Sequence, residues 1–376
     1  MPPNPLFVQV WCPAYERCGV ASWTRTLSNE RIVVIGGGTG AYAALIGLKR
    51  HSQRISAVIT MADDGGSSGL LRDQFGHLPP GDTRRALLAL TPTKRANALL
   101  RSLFEYRFNR GQGLNGHSVG NLLLTALAEI HGDMESAVRE AAQLLRIRGE
   151  VLPVTRDDVR LVAELEDGTI IWGEHNIDVR TVRPEVRIQR VFLSPEAGVS
   201  ESARQAIESA DILVLGPGDL FTSIIPNLLV RGVPEAVRAC GGTRIFLCNL
   251  MTKHGETDGF RASDFLREVL HYIGRGDALD YFLVNETALR RTVAARYAAE
   301  RAQQVEVDVD VCNGLGATVV NGDLLARGPL VRHDPGKLAR HVLETHRRHI
   351  REASMSQESR RLEAVPSARS PLLGEG

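Results

Sequence analysis

From Arg31 onward, short apolar β-branched runs alternate with stretches of helical spacing. Arg31 to Ile35, Ile55 to Met61, Asp211 to Leu215, Thr243 to Leu247 and Leu279 to Val284 read as strands too apolar to have a wet face. Such strands belong to a parallel sheet with helices on both sides. With Ala41 to Arg50 and Ser200 to Ser209 as helices between them, the pattern predicts a Rossmann-like, doubly wound α/β fold with a mostly parallel sheet. Two interruptions break the rhythm. Thr83 to Ala89, Ala96 to Phe108, Val119 to Ile130 and Met134 to Leu145 form a helical insertion, the last two parted by the stop-and-start cluster His131-Gly132-Asp133. Val151 to Arg190 reads as a β excursion, in which Arg160 to Glu166 and Thr169 to Gly173 flank the hairpin turn Asp167-Gly168 and Val186 to Leu193 adds a third strand. The expected organisation is an amino-terminal extension over 1–30, one domain over 31–353 and a disordered tail over 354–376, where Ser, Arg, Glu, Pro and Gly dominate.

Glycine clusters follow several of the strands. Gly36, Gly37, Gly38, Thr39 and Gly40 lead from the first strand into a helix; glycine lets backbone N–H groups approach an anion, and the helix start favours one. Asp63-Asp64-Gly65-Gly66-Ser67-Ser68-Gly69 follows the second strand, so the two loops are expected side by side at the carboxyl edge of the sheet. Adjacent carboxylates at Asp63 and Asp64 repel a phosphate unless a cation intervenes, which points to bridging Mg²⁺ or to contacts with ribose or base hydroxyls. Asp82 or Thr83 is placed to cap the next helix, and Arg84 and Arg85 in its first turn oppose the dipole unless they meet an anion. His117 and Asn121 sit at a third glycine-flanked helix start. The Gly-x-Ser-x-Gly pattern around Ser118 lacks the preceding strand of a hydrolase elbow. Gly216, Gly218, Thr222 and Ser223 repeat the strand, glycine turn, helix order of the first loop, and Asn249 and Thr252 follow another strand. The run from Gly255 to Phe260, with Asp258, offers polar groups and an aromatic that could close over a ligand.

Composition narrows the field. The 376 residues are 43% hydrophobic and 24% charged, with a net charge of +1, so any anion site is local and nucleic acid finds no global attraction. Aromatics at 5% do not supply a base-stacking platform. No apolar run approaches the ~20 residues that cross a bilayer, and the first 30 residues have no secretory apolar core. The expectation is a cytoplasmic protein with no membrane insertion. Cys12, Cys18, Cys240, Cys248 and Cys312 lack metal-ligand spacing and read as reduced thiols.

Taken together, GGGTG, ADDGGSSG, LPPGDTRR, GHSVGNLL, RGEVLPVT, LGPGDLFTSIIPNLLV and MTKHGETDGF, in that order between about Arg31 and His349, resemble the bacterial gluconeogenesis factor family of nucleotide-sugar-binding proteins, related to 2-phospho-L-lactate transferase. The resemblance implies a Rossmann-like fold, cytoplasmic location, a homodimer, a regulatory protein partner, and binding of a UDP-sugar such as UDP-N-acetylglucosamine in the control of cell shape and envelope metabolism on gluconeogenic carbon sources. The alternative it carries is a Mg²⁺-dependent phosphotransferase of the 2-phospho-L-lactate transferase type, with Asp63 and Asp64 as catalytic and metal-holding groups. The chain departs from that branch at Thr39-Gly40-Ala41, and from many relatives at Lys253-His254. The expected diphosphate grip is Gly36 to Gly40 with the Gly216 loop, neutralised by Arg84 or Arg85. Ser67, Ser68, His117, Asn121, Thr222, Ser223, Asn227, Asn249, Thr252 and Asp258 complete the expected ligand contacts.

Overall fold

The computed structural model describes residues 28–92, 95–274 and 276–363; the expected amino-terminal extension up to residue 27, with Cys12 and Cys18, and the tail beyond residue 363 lie outside the described residues. Seven strands form one parallel sheet: β1 (Ile32–Gly36), β2 (Ile55–Ile59), β3 (Glu150–Pro153), β7 (Ile212–Leu215), β8 (Thr243–Leu247), β9 (Tyr281–Asn285) and β10 (Thr318–Gly322). A separate antiparallel sheet contains β4 (Arg160–Leu165), β5 (Ile170–Trp172) and β6 (Ile188–Ser194). The helices in chain order are α1 (Gly38–Leu48), α2 (Gly66–Phe75), α3 (Gly81–Leu90), α4 (Arg95–Glu105), α5 (Val119–His131), α6 (Met134–Leu145), α7 (Glu174–Asp178), α8 (Glu201–Glu208), α9 (Ile225–Leu228), α10 (Val233–Ala239), α11 (Ala262–Ile273), α12 (Arg291–Ala299), α13 (Val309–Asn313) and α14 (Pro335–Glu363).

The large sheet has the order β10-β9-β8-β7-β1-β2-β3. Strand order therefore reverses between β1 and β7, which is where a doubly wound sheet opens its ligand crevice. Successive residues alternate between two cores. Val33, Ile35, Leu213, Leu215, Phe246 and Phe282 face one apolar layer, while Ile32, Val34, Ile212, Val214, Ile245 and Leu247 face the other, against α1, α3 and the start of α14. Both faces are dry, as the unbroken apolar strands required.

Four features differ from the sequence reading. Val151 to Pro153 pairs in parallel with β2 and extends the large sheet, so the excursion proper begins at β4. A four-residue strand after a helix carries no periodicity of its own and is recruited by its neighbour. β10, whose Val319 and Val320 are only half-buried, completes the other edge. The second glycine loop passes at once into α2, and α14 continues through residues expected to be disordered as far as Glu363. Cys240, Cys248 and Cys312 are buried free thiols, and among the described residues no helix is long and apolar enough to cross a membrane.

Candidate functional site

Parallel pairing of Ile35 with Leu215 puts the loops after β1 and β7 at one edge of the sheet. They touch. A Cβ on Gly40 would lie 2.2 Å from the Pro217 carbonyl oxygen, so only glycine permits this approach. Asn227, from α9, ties the two loops by donating through Nδ2 to the Gly36 carbonyl at 3.4 Å and to the Ser223 carbonyl at 2.8 Å.

A cavity of about 480 Å³ opens against this junction. Its polar floor is Gly37 to Gly40, Gly218, Asp219, Ser223 and Asn249; Arg84, Arg85, Arg107 and Glu105 form one side. Its apolar side is Tyr42, Ile46, Leu88, Leu250 and Met251, and Val331 to His333 with Pro335 close the back. Of the residues expected from sequence, the cavity brings together Gly37, Gly38, Thr39, Gly40, Arg84, Arg85, Gly218, Ser223 and Asn249.

The two arginines have different surroundings. Arg84 is 7% exposed and donates through Nε to Asn121 Oδ1 at 2.8 Å. Burial, with Arg85 and Arg107 beside it, pushes its guanidinium down to about 10. Arg85 Nη1 donates to Asp82 Oδ1 at 2.9 Å. Asp82 does not cap its own helix. It is buried, its other oxygen accepts the Gly38 N–H at 2.9 Å, and burial pushes its carboxyl up. A Cβ on Gly37 would lie 2.5 Å from Asp82 Oδ2, so the first loop is shaped around this carboxylate. The N–H groups of Thr39 and Gly40, without partners inside the helix by the geometry of a first turn, remain for an anion.

Ser67, His117 and Asn121 form a buried layer behind Arg84. Asn121 Nδ2 donates to Ser67 Oγ at 3.1 Å, and Ser67 Oγ and His117 Nδ1 share a hydrogen bond of 3.0 Å. Ser118 caps α5 by accepting the Asn121 N–H. Ser68 is buried against Gly81, where an added Cβ would lie 2.3 Å from Ser68 Oγ.

Asp63 and Asp64 diverge. Asp64 Oδ1 accepts the His175 N–H at 2.8 Å and its Oδ2 lies 3.7 Å from Arg160 Nη1; Asp63 Oδ1 accepts the Gly65 N–H at 3.0 Å. One Mg²⁺ shared by this adjacent pair does not fit, because Asp64 is turned toward the excursion. Asp63 instead belongs to an acidic edge with Asp82 and Glu174. Burial first, then Asp63 and Asp178, push the Glu174 carboxyl up to about 10.

Thr222, Thr252 and Asp258 do not line this cavity and have partners within the fold. Thr222 is buried, with Oγ1 3.5 Å from Glu256 Oε1. Thr252 Oγ1 accepts the Gln303 N–H, and Asp258 accepts the Gly255 N–H within its own turn. Phe260 packs edge-on between Phe221 and Phe265. Gly36 ends β1 and Gly216 follows β7, and neither lines the cavity. Sequence reasoning missed Arg107, Tyr42, Arg332 and His333, which stand in no motif. Burial pushes His333 down to about 4, so it is a neutral hydrogen-bonding group, 3.2 Å from the Cys248 carbonyl.

Comparison with known proteins places this geometry among relatives. Residues 32–325 match the family described as 2-phospho-L-lactate transferase CofD. A protein of Halalkalibacterium halodurans named gluconeogenesis factor is 41% identical over 320 residues, covering 85% of this chain and 97% of its own. The gluconeogenesis factor of Bacillus subtilis is 39% identical over 315 residues, covering 83% and 96%. A crystal structure of a Bacillus halodurans protein from the UPF0052 family superposes with a TM-score of 0.79 at 40% identity, covering 85% of this chain and all of that one, 100%.

Proposed function

The chain belongs to the 2-phospho-L-lactate transferase CofD family, and from that premise we propose that it is a gluconeogenesis factor that binds a UDP-sugar, UDP-N-acetylglucosamine in the first instance, and acts as a regulator of cell shape and envelope metabolism. The observation that carries this reading is the cavity at the β1/β7 junction, where helix-start N–H groups face Arg84, Arg85 and Arg107. Three guanidiniums around one cavity, one of them depressed by burial and by the other two, form a site whose charge is completed by a multiply charged anion. Tyr42, Ile46, Leu88 and Leu250 supply an apolar wall for a nucleoside beside the diphosphate. The regulator works in the cytoplasm as a homodimer that passes its bound state to a protein partner, a reading supported by exposed Leu99, Leu103 and Tyr106 around the end of α4.

A Mg²⁺-dependent phosphotransferase, in keeping with the family's description, draws on a different observation, the surplus of carboxylates at Asp63, Asp82 and Glu174. Calorimetry separates the two readings. UDP-N-acetylglucosamine is expected to bind with or without Mg²⁺, and more tightly than GDP or NAD⁺. Heat from GDP alone, appearing only with Mg²⁺, overturns the regulatory reading.

A further inference from the structure

Outside the glycine loops, one cluster of charge joins three separate parts of the chain. Lys253, in the segment after β8, places Nζ 3.0 Å from Asp219 Oδ2 and 2.7 Å from Glu256 Oε1, and contacts Asp178 Oδ1 at the end of α7. One carboxylate oxygen from each of Asp178, Asp219 and Glu256 lies within 4.8 Å of the other two. Carboxylates converging from three elements repel one another unless a cation sits among them. An ammonium has three N–H donors, one for each acid, so Lys253 matches the geometry. It does not match the charge.

The surplus shows at Glu256. The residue is 4% exposed, yet its Oε2 has no hydrogen-bond partner. Burial pushes its carboxyl up to about 7 even with Lys253 against it. Lys253 feels the opposite effect: burial pulls it down, but Glu256, Asp219 and Asp178 outweigh that and hold the ammonium well above the lysine range.

We propose that Lys253 is a resident substitute for a divalent cation: Asp178, Asp219 and Glu256 form a three-oxygen centre of the kind that holds Mg²⁺ or Mn²⁺, and the Lys253 ammonium keeps that centre closed to both. Oxygens now 2.7 and 3.0 Å from Nζ would close by somewhat less than an ångström to reach the ~2.1 Å of such an ion, a shift within the reach of carboxylate rotamers. The centre is distinct from Asp63 and Asp64, which point elsewhere. Because Asp219 also lines the cavity, the ammonium holds that carboxylate in place and offsets part of its charge without a metal that a chelator could remove.

The test counts Mn²⁺ on the full chain by electron paramagnetic resonance, with no nucleotide present, so its result is independent of the proposed ligand. Lys253→Ala is expected to take one more Mn²⁺ per chain than the unsubstituted protein and to gain thermal stability from Mn²⁺ that the unsubstituted protein does not gain. Adding Asp219→Asn to Lys253→Ala removes the extra ion. If Lys253→Ala is insoluble, Lys253→Gln is measured in the same way with the same expectation. The proposal is overturned if the soluble variant binds no additional ion, or if the unsubstituted protein already holds an ion that Asp219→Asn alone releases.

Discussion

Arg84 and Arg85 are neighbours in the chain with unlike duties. Arg84 is held from behind by Asn121 and presents its charge to the cavity; Arg85 shares its charge with buried Asp82. Arg84→Gln is therefore expected to weaken nucleotide-sugar binding by about 10- to 100-fold, the worth of a charge-assisted hydrogen bond, with little loss of fold stability. Arg85→Gln is expected to act on stability as well, because Asp82 is left buried with its partner reduced; a loss of roughly 2–4 kcal/mol in urea unfolding is the measurement. The sequence indicated that arginines in a helix's first turn meet an anion. It did not reveal that one of the anions is the chain's own Asp82, three residues earlier, because what buries that carboxylate beside Arg85 is its bond to the Gly38 N–H, a contact between positions 38 and 82 with no local signal. His117, Ser67 and Asn121 were legible as separate candidate ligand contacts and illegible as a layer behind Arg84. Ser67→Ala, which strips Asn121 Nδ2 of its acceptor, should lower binding through Arg84 by several-fold while leaving the cavity lining intact, a split that calorimetry and unfolding together resolve.

At the scale of elements, the site is a meeting of two strand-to-helix turns. Both turns were legible because glycine after an apolar strand is a local signature; their contact follows from strand order, which only long-range pairing decides. Gly40→Ala tests the contact. The added methyl has to displace the Pro217 carbonyl, so the expectation is a stability loss of about 1–3 kcal/mol together with loss of ligand binding, read by thermal unfolding and calorimetry on the same sample. β3 and β10 escaped the sequence reading for the same physical reason. Each sits at an edge with at least one exposed position in its run, and each is a strand because its neighbour offers a ladder. The hairpin β4–β5 was legible because Asp167-Gly168 specifies its own turn, with Gly168 at φ +81°.

At the scale of the whole molecule, the acidic edge makes stability depend on pH. Glu174 keeps its proton up to about 10 when folded and loses it near 4.5 when unfolded. Between those values the folded chain holds the extra proton, so stability falls as pH rises across that window. Glu174→Gln removes this dependence; it is expected to be more stable than the parent by roughly 1–3 kcal/mol at pH 8, with the gain shrinking toward pH 5 in urea unfolding. No gain at pH 8 would mean that a cation already answers the acidic edge.

The back wall of the cavity, Val331 to His333 with Pro335, is built by the stretch that leads into α14, after all seven strands of the large sheet have been passed. On a ribosome, then, the sheet can be complete while the binding chamber still lacks one side. A nascent or carboxyl-terminally clipped chain ending near residue 325 would carry the glycine loops and the arginines around a cavity open at the back, so the chamber is closed only once the last helix has docked on α1.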